Sequence, residues 1–123
     1  STTASAHGDV TPQPINTEGL EPLGEEWRTE NPYSGNPKAI EIGASGYNQN
    51  CARCHGLEVI SGGLSPDLRY LEKGPAGDSW FMERIRHGKR NSDGATIMPA
   101  FEGLISQEAM WAIRSYVESM HID

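Results

Sequence analysis

Residues 49–58 read "NQNCARCHGL" and hold the chain's 2 cysteines, Cys51 and Cys54, with His55 directly behind the second. Two thiols and an imidazole at this spacing admit four chemistries. A disulfide closing so short a loop restrains the unfolded chain little. A thioredoxin-type redox pair expects a βαβ setting, and no strand-rich run precedes residue 51. A structural zinc site pairs two spaced ligand clusters, whereas this sequence offers one. The fourth chemistry is covalent attachment of a c-type haem, for which C-x-x-C-H is the signature. Each thiol adds across one vinyl group of the porphyrin, so the sulfurs must lie about one helical turn apart along one edge. The imidazole beside the second thiol then falls beneath the iron as its proximal ligand.

A haem that only carries electrons needs its far side filled as well, and a methionine opposite the histidine raises the reduction potential. Of Met82, Met98, Met110 and Met120, three fall in runs with helical spacing, where gap-filling use in a core is the ordinary role. Met98 differs. It precedes Pro99 in "GATIMPAFEG", and a following proline pushes a residue out of helical geometry. A methionine in an extended loop downstream of His55 can reach the opposite face of a flat ring, which makes Met98 the expected sixth ligand. His7, His87 and His121 are read as non-ligands. A histidine near a helix C-terminus, as at His87, interacts well with the macrodipole and needs no metal to explain it.

The elements that must position these residues are sparsely apolar. The 123 residues suffice for one small domain, yet Leu, Ile, Val and Phe supply only 21 of them, and the formal net charge is −7. Buried area at such a balance struggles to offset conformational entropy. A large, flat, apolar group supplied from outside resolves the shortage. Residues 1–36 form a Pro- and Gly-rich acidic arm, with six acids against Arg28 alone, expected to run extended with Trp27 and Tyr33 pinning its later part. Residues 37–123 form the domain proper. Asn36 and Pro37 signal a helix start, and Ile40, Gly43 and Tyr47 recur along one face, with a notch at Gly43. The last helix has Ser106 as its cap, Glu108 in the first turn, and Ala109, Ala112, Ile113, Tyr116 and Val117 as an apolar stripe. Close crossing of these two helices at Gly43 is expected. A third helix in "GDSWFMERIRHGK" is expected to be capped by Asp78 and to turn Phe81 and Ile85 inward. No continuous strand pattern is present, and "SGGLSPDLRYLEKGPAG" reads as loop. Arg84, Arg86, Lys89 and Arg90 read either as a solvated helix end or as a cationic docking rim.

From about residue 40 onward the sequence resembles a class I cytochrome c. It has the glycine and aromatic of the first helix, C-x-x-C-H-G, a Pro-Asp-Leu loop, a short helix, an M-P loop and a terminal helix with a tyrosine. The resemblance implies an all-α fold of three or more helices wrapped round one haem c, with the extended arm in addition. It implies thioether bonds at Cys51 and Cys54 and iron ligation by His55 and Met98. It also implies that the Pro66 carbonyl accepts the second ring nitrogen of His55, an orienting contact expected of a ligating histidine. Ile113 and Tyr116 would match the residues that pack on Gly43 and Tyr47. The runs "PLGEEWRTENPY", "YNQNCARCHGLE", "PDLRYLE", "MPAFEG" and "AMWAIRSY" are similar to the periplasmic cytochromes c that serve quinoprotein ethanol dehydrogenase in pseudomonads, arm included.

This closer resemblance implies a soluble one-electron carrier and not an enzyme. Its donor would be a PQQ-dependent alcohol dehydrogenase, and its acceptor a terminal oxidase or another cytochrome. A peroxidase-like or gas-binding haem protein is the alternative should Met98 be labile. No D-x-D-x-D-G loop suggests calcium. Bacterial thioether attachment takes place outside the cytoplasmic membrane, and "STTASAHGDV" reads as the start of an exported chain after removal of its signal, so a periplasmic location is expected. No nucleic-acid partner and no stable membrane insertion are expected, and the protein is expected to be a monomer.

Overall fold

Asn36 and Pro37 begin the first helix as their types require. The Asn36 Oδ1 accepts the N–H groups of Lys38 (2.9 Å) and Ala39 (3.2 Å), and Pro37 occupies the first turn, where its missing N–H is no loss. The computed structural model describes residues 15–51, 68–90, 92–94 and 96–121. Within them, α1 spans Pro37–Asn50, α2 spans Pro75–His87 and α3 spans Gln107–Ser119. A short 3-10 turn covers Leu68–Tyr70. The strands β1 (Lys89–Arg90) and β2 (Thr96–Met98) pair antiparallel, with an irregularity between Lys89 and Arg90. Where loop alone was expected, the chain therefore holds a 3-10 turn and a minimal hairpin; the other regular elements among the described residues are α-helices.

α1 and α3 make the central crossing. The buried face of α1 is Ala39, Ile42, Gly43, Gly46 and Tyr47, with Ile40 only partly covered. A side chain at Gly43 would place its Cβ 1.9 Å from the Ala112 carbonyl oxygen, so the bare glycine lets the two backbones touch. The Tyr47 and Tyr116 rings meet beside this contact, with centroids 5.5 Å apart and tilted by 51°. All five residues of the expected α3 stripe are buried, and Ser106 Oγ caps the helix by accepting the Ala109 N–H at 3.1 Å.

α2 corrects one expectation. It begins at Pro75, behind Gly74, and no side chain caps it. Asp78 lies inside the first turn and is buried. One oxygen takes Arg114 Nε at 2.6 Å and the other the Asn31 N–H at 2.9 Å. The carboxylate is thus engaged by partners distant in sequence rather than by its own helix end. Phe81 and Ile85 face inward as expected, joined by Met82.

α3 is buried on more than one face: Met110, Trp111, Arg114 and Ser115 are covered as well as the stripe. The arm supplies the second cover. Residues 15–36 contain turns and bends but neither helix nor strand, and they seat Leu20, Leu23 and Tyr33 in the core, with Ile15 and Trp27 packed against it. Side chains of α3 receive the arm's backbone. Glu108 Oε2 accepts the Leu23 N–H (2.8 Å), and Gln107 Oε1 accepts that of Arg28 (2.9 Å). The Tyr33 hydroxyl donates to the Glu21 carbonyl. Burial among carboxylates pushes that phenol up to about 12.

Glu118 ties the arm to two helices. It accepts Ser34 Oγ at 2.6 Å and the Gly74 N–H at 2.9 Å, with Arg114 Nη2 at 3.9 Å. Burial alone would raise its affinity for a proton. The Ser34 and Gly74 hydrogen bonds and the Arg114 and Lys73 charges outweigh that and hold the carboxyl below its ordinary value of 4.5. A depressed folded-state value means that its contribution is full above 4.5 and is lost as the pH falls through the lower folded value. Glu118→Gln should therefore lower stability near neutral pH and flatten the acid limb of a stability–pH curve, as chemical denaturation at stepped pH would show.

Candidate functional site

Met98 ends β2, where its sulfur-bearing side chain is partly buried against the core. Its place is set by the C-terminus of α2. The helix stops at Gly88, whose N–H donates to the Arg84 carbonyl at 2.8 Å. Gly88 has φ 72° and ψ −163°, a region essentially reserved for glycine. A Cβ at Gly88 would stand 2.4 Å from the Met98 carbonyl oxygen and 2.8 Å from the Pro99 carbonyl carbon. Lys89 pairs with Met98 across the hairpin. Beyond Pro99, the Phe101 N–H donates to the Ile85 carbonyl (2.9 Å) and the Glu102 N–H to that of Arg86 (3.3 Å). The segment from Met98 to Glu102 is therefore held at its start by Lys89, just past α2, and at its end by the last turn of α2, with Phe101 buried.

Cys51 closes α1 as its C-terminal cap, its N–H donating to the Tyr47 carbonyl at 2.7 Å, and it packs partly buried on the core. Cys54, His55 and Pro66 lie outside the described residues. Of the remaining histidines, His87 Nδ1 lies 3.2 Å from Glu83 Oε2, and its Nε2 lies 3.5 Å from Glu102 Oε1. His121 Nδ1 meets the Leu71 carbonyl at 2.9 Å. His7 is outside the described residues.

The basic run "ERIRHGKR" is largely engaged within the molecule. Arg86 Nε bonds Glu102 Oε1 at 2.9 Å, and its guanidinium lies 3.9 Å from the centre of the Trp27 ring. Arg84 covers the Trp80 ring at 5.3 Å. Lys89 and Arg90 are exposed, Arg90 Nη1 donating to the Gly94 carbonyl at 3.2 Å. With Glu83 and Glu102 interleaved, this surface is a mixed-charge helix end more than a cationic rim. Gly88 was missed as a site residue from sequence. The signal available was a glycine directly behind a helix that ends in basic residues.

The family model described as cytochrome c oxidase, cbb3-type, subunit III, matches residues 38–117. Cytochrome c550 of Pseudomonas aeruginosa is 61% identical over an alignment that covers 100% of this chain and 87% of that protein. The chain belongs to the cytochrome c family.

The solved structure of cytochrome CL from the methylotroph Methylophaga aminisulfidivorans superposes with a TM-score of 0.63 at 22% identity, covering 87% of this chain and 74% of that one, and shares the fold. The quinohemoprotein alcohol dehydrogenase ADH IIB of Pseudomonas putida is 34% identical over 75% of this chain, which spans 13% of that enzyme. As a cytochrome c, the protein is an electron carrier with covalently bound haem c. The described residues suit such a group. A thioether at Met98 and a thiol at Cys51 both stand on apolar ground at the core's edge; a thioether sulfur suits haem iron as a ligand, and a thiol suits addition to a porphyrin vinyl group. Among the described residues, no group of three or more His, Cys, Asp and Glu side chains forms a competing metal site. No helix among them is long and apolar enough to cross a membrane.

Replacing Gly88 tests how strictly the Met98 segment is placed. Gly88→Ala puts a methyl group into the Met98 carbonyl and forces a non-glycine residue into a glycine region. We expect a loss of about 2–4 kcal/mol of stability in denaturant unfolding.

Proposed function

We propose that Cys51 and Cys54 tether one haem, that His55 and Met98 are its axial ligands, and that the protein accepts electrons singly from a PQQ-dependent alcohol dehydrogenase. One observation carries the partner: a quinohemoprotein alcohol dehydrogenase contains a stretch matching three quarters of this chain. A cytochrome with that ancestry suits the same donor as a separate molecule. The acceptor would be a terminal oxidase or another cytochrome, and the setting the periplasm, because c-type haem is attached outside the cytoplasmic membrane. Residues 1–36 would be an arm added to a haem domain of 37–123, a division supported by the family model's start at residue 38.

Bound haem supplies a reversible one-electron couple. The chain's residues restrict it to that use. Met98, partly buried and paired with Lys89 just past α2, would close the far side of the iron, so that an added ligand must displace sulfur first. The Pro66 carbonyl would accept the N–H of the other ring nitrogen of His55 and fix the orientation of its ring. Weak, brief docking suits such exchange, with interfaces at the small end of the range.

Two measurements test these assignments separately. The reduced protein should show a low-spin spectrum that carbon monoxide leaves unchanged, whereas Met98→Ala should become high-spin and bind the gas readily. Carbon monoxide binding by the unaltered protein would overturn Met98 as a stable ligand and favour the gas-binding alternative. Stopped-flow mixing of the ferric protein with ethanol-reduced PQQ-dependent alcohol dehydrogenase should give rapid reduction at micromolar concentrations. A rate no faster than that with an unrelated reduced flavoprotein would overturn the donor.

A further inference from the structure

Trp27, in the arm, stands where α2, α3 and the Met98 segment converge. Its peptide is fixed on both sides by one side chain. Gln107 Nε2 donates to the Glu26 carbonyl at 3.1 Å, and Gln107 Oε1 accepts the Arg28 N–H at 2.9 Å. The same oxygen accepts Trp111 Nε1–H at 3.0 Å, so three partners set the amide's orientation. The Trp27 ring faces the Arg86 guanidinium at 3.9 Å, closer than the 5.3 Å of the exposed Arg84–Trp80 pair. Arg86 in turn holds the segment that carries Met98 by two bonds. Its Nε donates to Glu102 Oε1 at 2.9 Å, and its carbonyl accepts the Glu102 N–H at 3.3 Å.

We propose that Trp27, acting through Arg86 and Glu102, is a positioning residue for Met98: the arm clamps the segment that bears the sixth ligand and opposes its departure from iron. This rests on reading Met98 as that ligand. The long Arg86 side chain would otherwise sample many rotamers in solvent. Between an aromatic face and a carboxylate it is confined to the geometry that grips Glu102. Loss of the ring returns that freedom, and the Met98 segment then opens more often. The consequence is a shift in a ligand-exchange equilibrium without a change in ligand identity.

The test is imidazole binding to the ferric holoprotein, which requires Met98 to leave. Trp27→Ala and Arg86→Gln should each tighten imidazole binding about fivefold, and the double variant should do no more than the stronger single one. Trp27→Phe keeps a ring over Arg86 and should stay near the parent. Ser34→Ala loosens the arm at Glu118, away from this junction, and should also leave binding unchanged. The proposal is overturned if Trp27→Ala binds imidazole as the parent does, or if Ser34→Ala matches it. Should Trp27→Ala fail to take up haem, Glu102→Gln leaves the arm in place and carries the same expectation. Met98→Ala in this assay should exceed every other variant. If it equals the parent, the ligand assignment is wrong, independently of the clamp.

Discussion

The crossing of α1 over α3 at Gly43 is the contact on which the other features depend. Two helices with side chains at the contact pack with their axes 8–10 Å apart. Here the Ala112 carbonyl occupies the space where a Cβ at Gly43 would lie, so the backbones approach more closely than that arrangement allows. The contact fixes the direction in which α1 ends, and with it Cys51, the first residue of the proposed haem-attachment stretch. It also commits one face of α3 to α1 and leaves the opposite face in need of a cover. The glycine costs helix propensity, about 0.5–1 kcal/mol relative to alanine. The packing it permits, including the Tyr47–Tyr116 pair, offsets that cost.

The cover for the second face is polar at its centre. Arg114 is fully buried with Asp78, and its Nη2 also donates to the Glu72 carbonyl at 2.8 Å. Its Nη1 is buried with no hydrogen-bond partner among the described residues. Bringing a guanidinium and a carboxylate out of water is expensive, and breaking such a pair from one side costs about 3–5 kcal/mol. What the pair supplies here is geometry. It joins α3 to the first turn of α2, while the other oxygen of Asp78 receives the arm at Asn31. The helix that ends beside Met98 and the arm that covers α3 are thus registered against each other through one carboxylate.

Much of the helical frame was legible because its signals are local. Asn36 with Pro37, Ser106 with its downstream stripe, the notch at Gly43 and the proline behind Met98 each act within a few residues of themselves. What escaped the sequence acts at a distance. Asp78 has the type and position of a cap, but Arg114 and Asn31 take its oxygens, and the helix starts earlier at Pro75. The basic run after Trp80 reads as a patch until Trp27 and Glu102 are brought against it. Gly88 stops α2, and its closeness to the Met98 carbonyl follows only from the return of the chain through the hairpin. At the site itself, type and spacing made Cys51 and Met98 the candidates. Their placement at the end of α1 and beside α2 came from the fold.

The arm is gripped chiefly by its main chain. The N–H groups of Leu23, Arg28 and Asn31 and the carbonyl of Glu26 are taken by side chains of Glu108, Gln107 and Asp78. Recognition of this kind reads a path and not an alphabet. Apart from the side chains that plug the core, meet Arg86, bond Glu118 and Ser115 (Ser34 and Asn31) or cap α1 (Asn36), the arm's described residues are exchangeable for others that permit the same course. The burden of specificity falls on the helices, where each receiving side chain serves a backbone that carries little information of its own. A designer transplanting this arm to another small haem protein would have to carry over the receptor residues on α2 and α3 first, and would be at liberty to rewrite most of the strap.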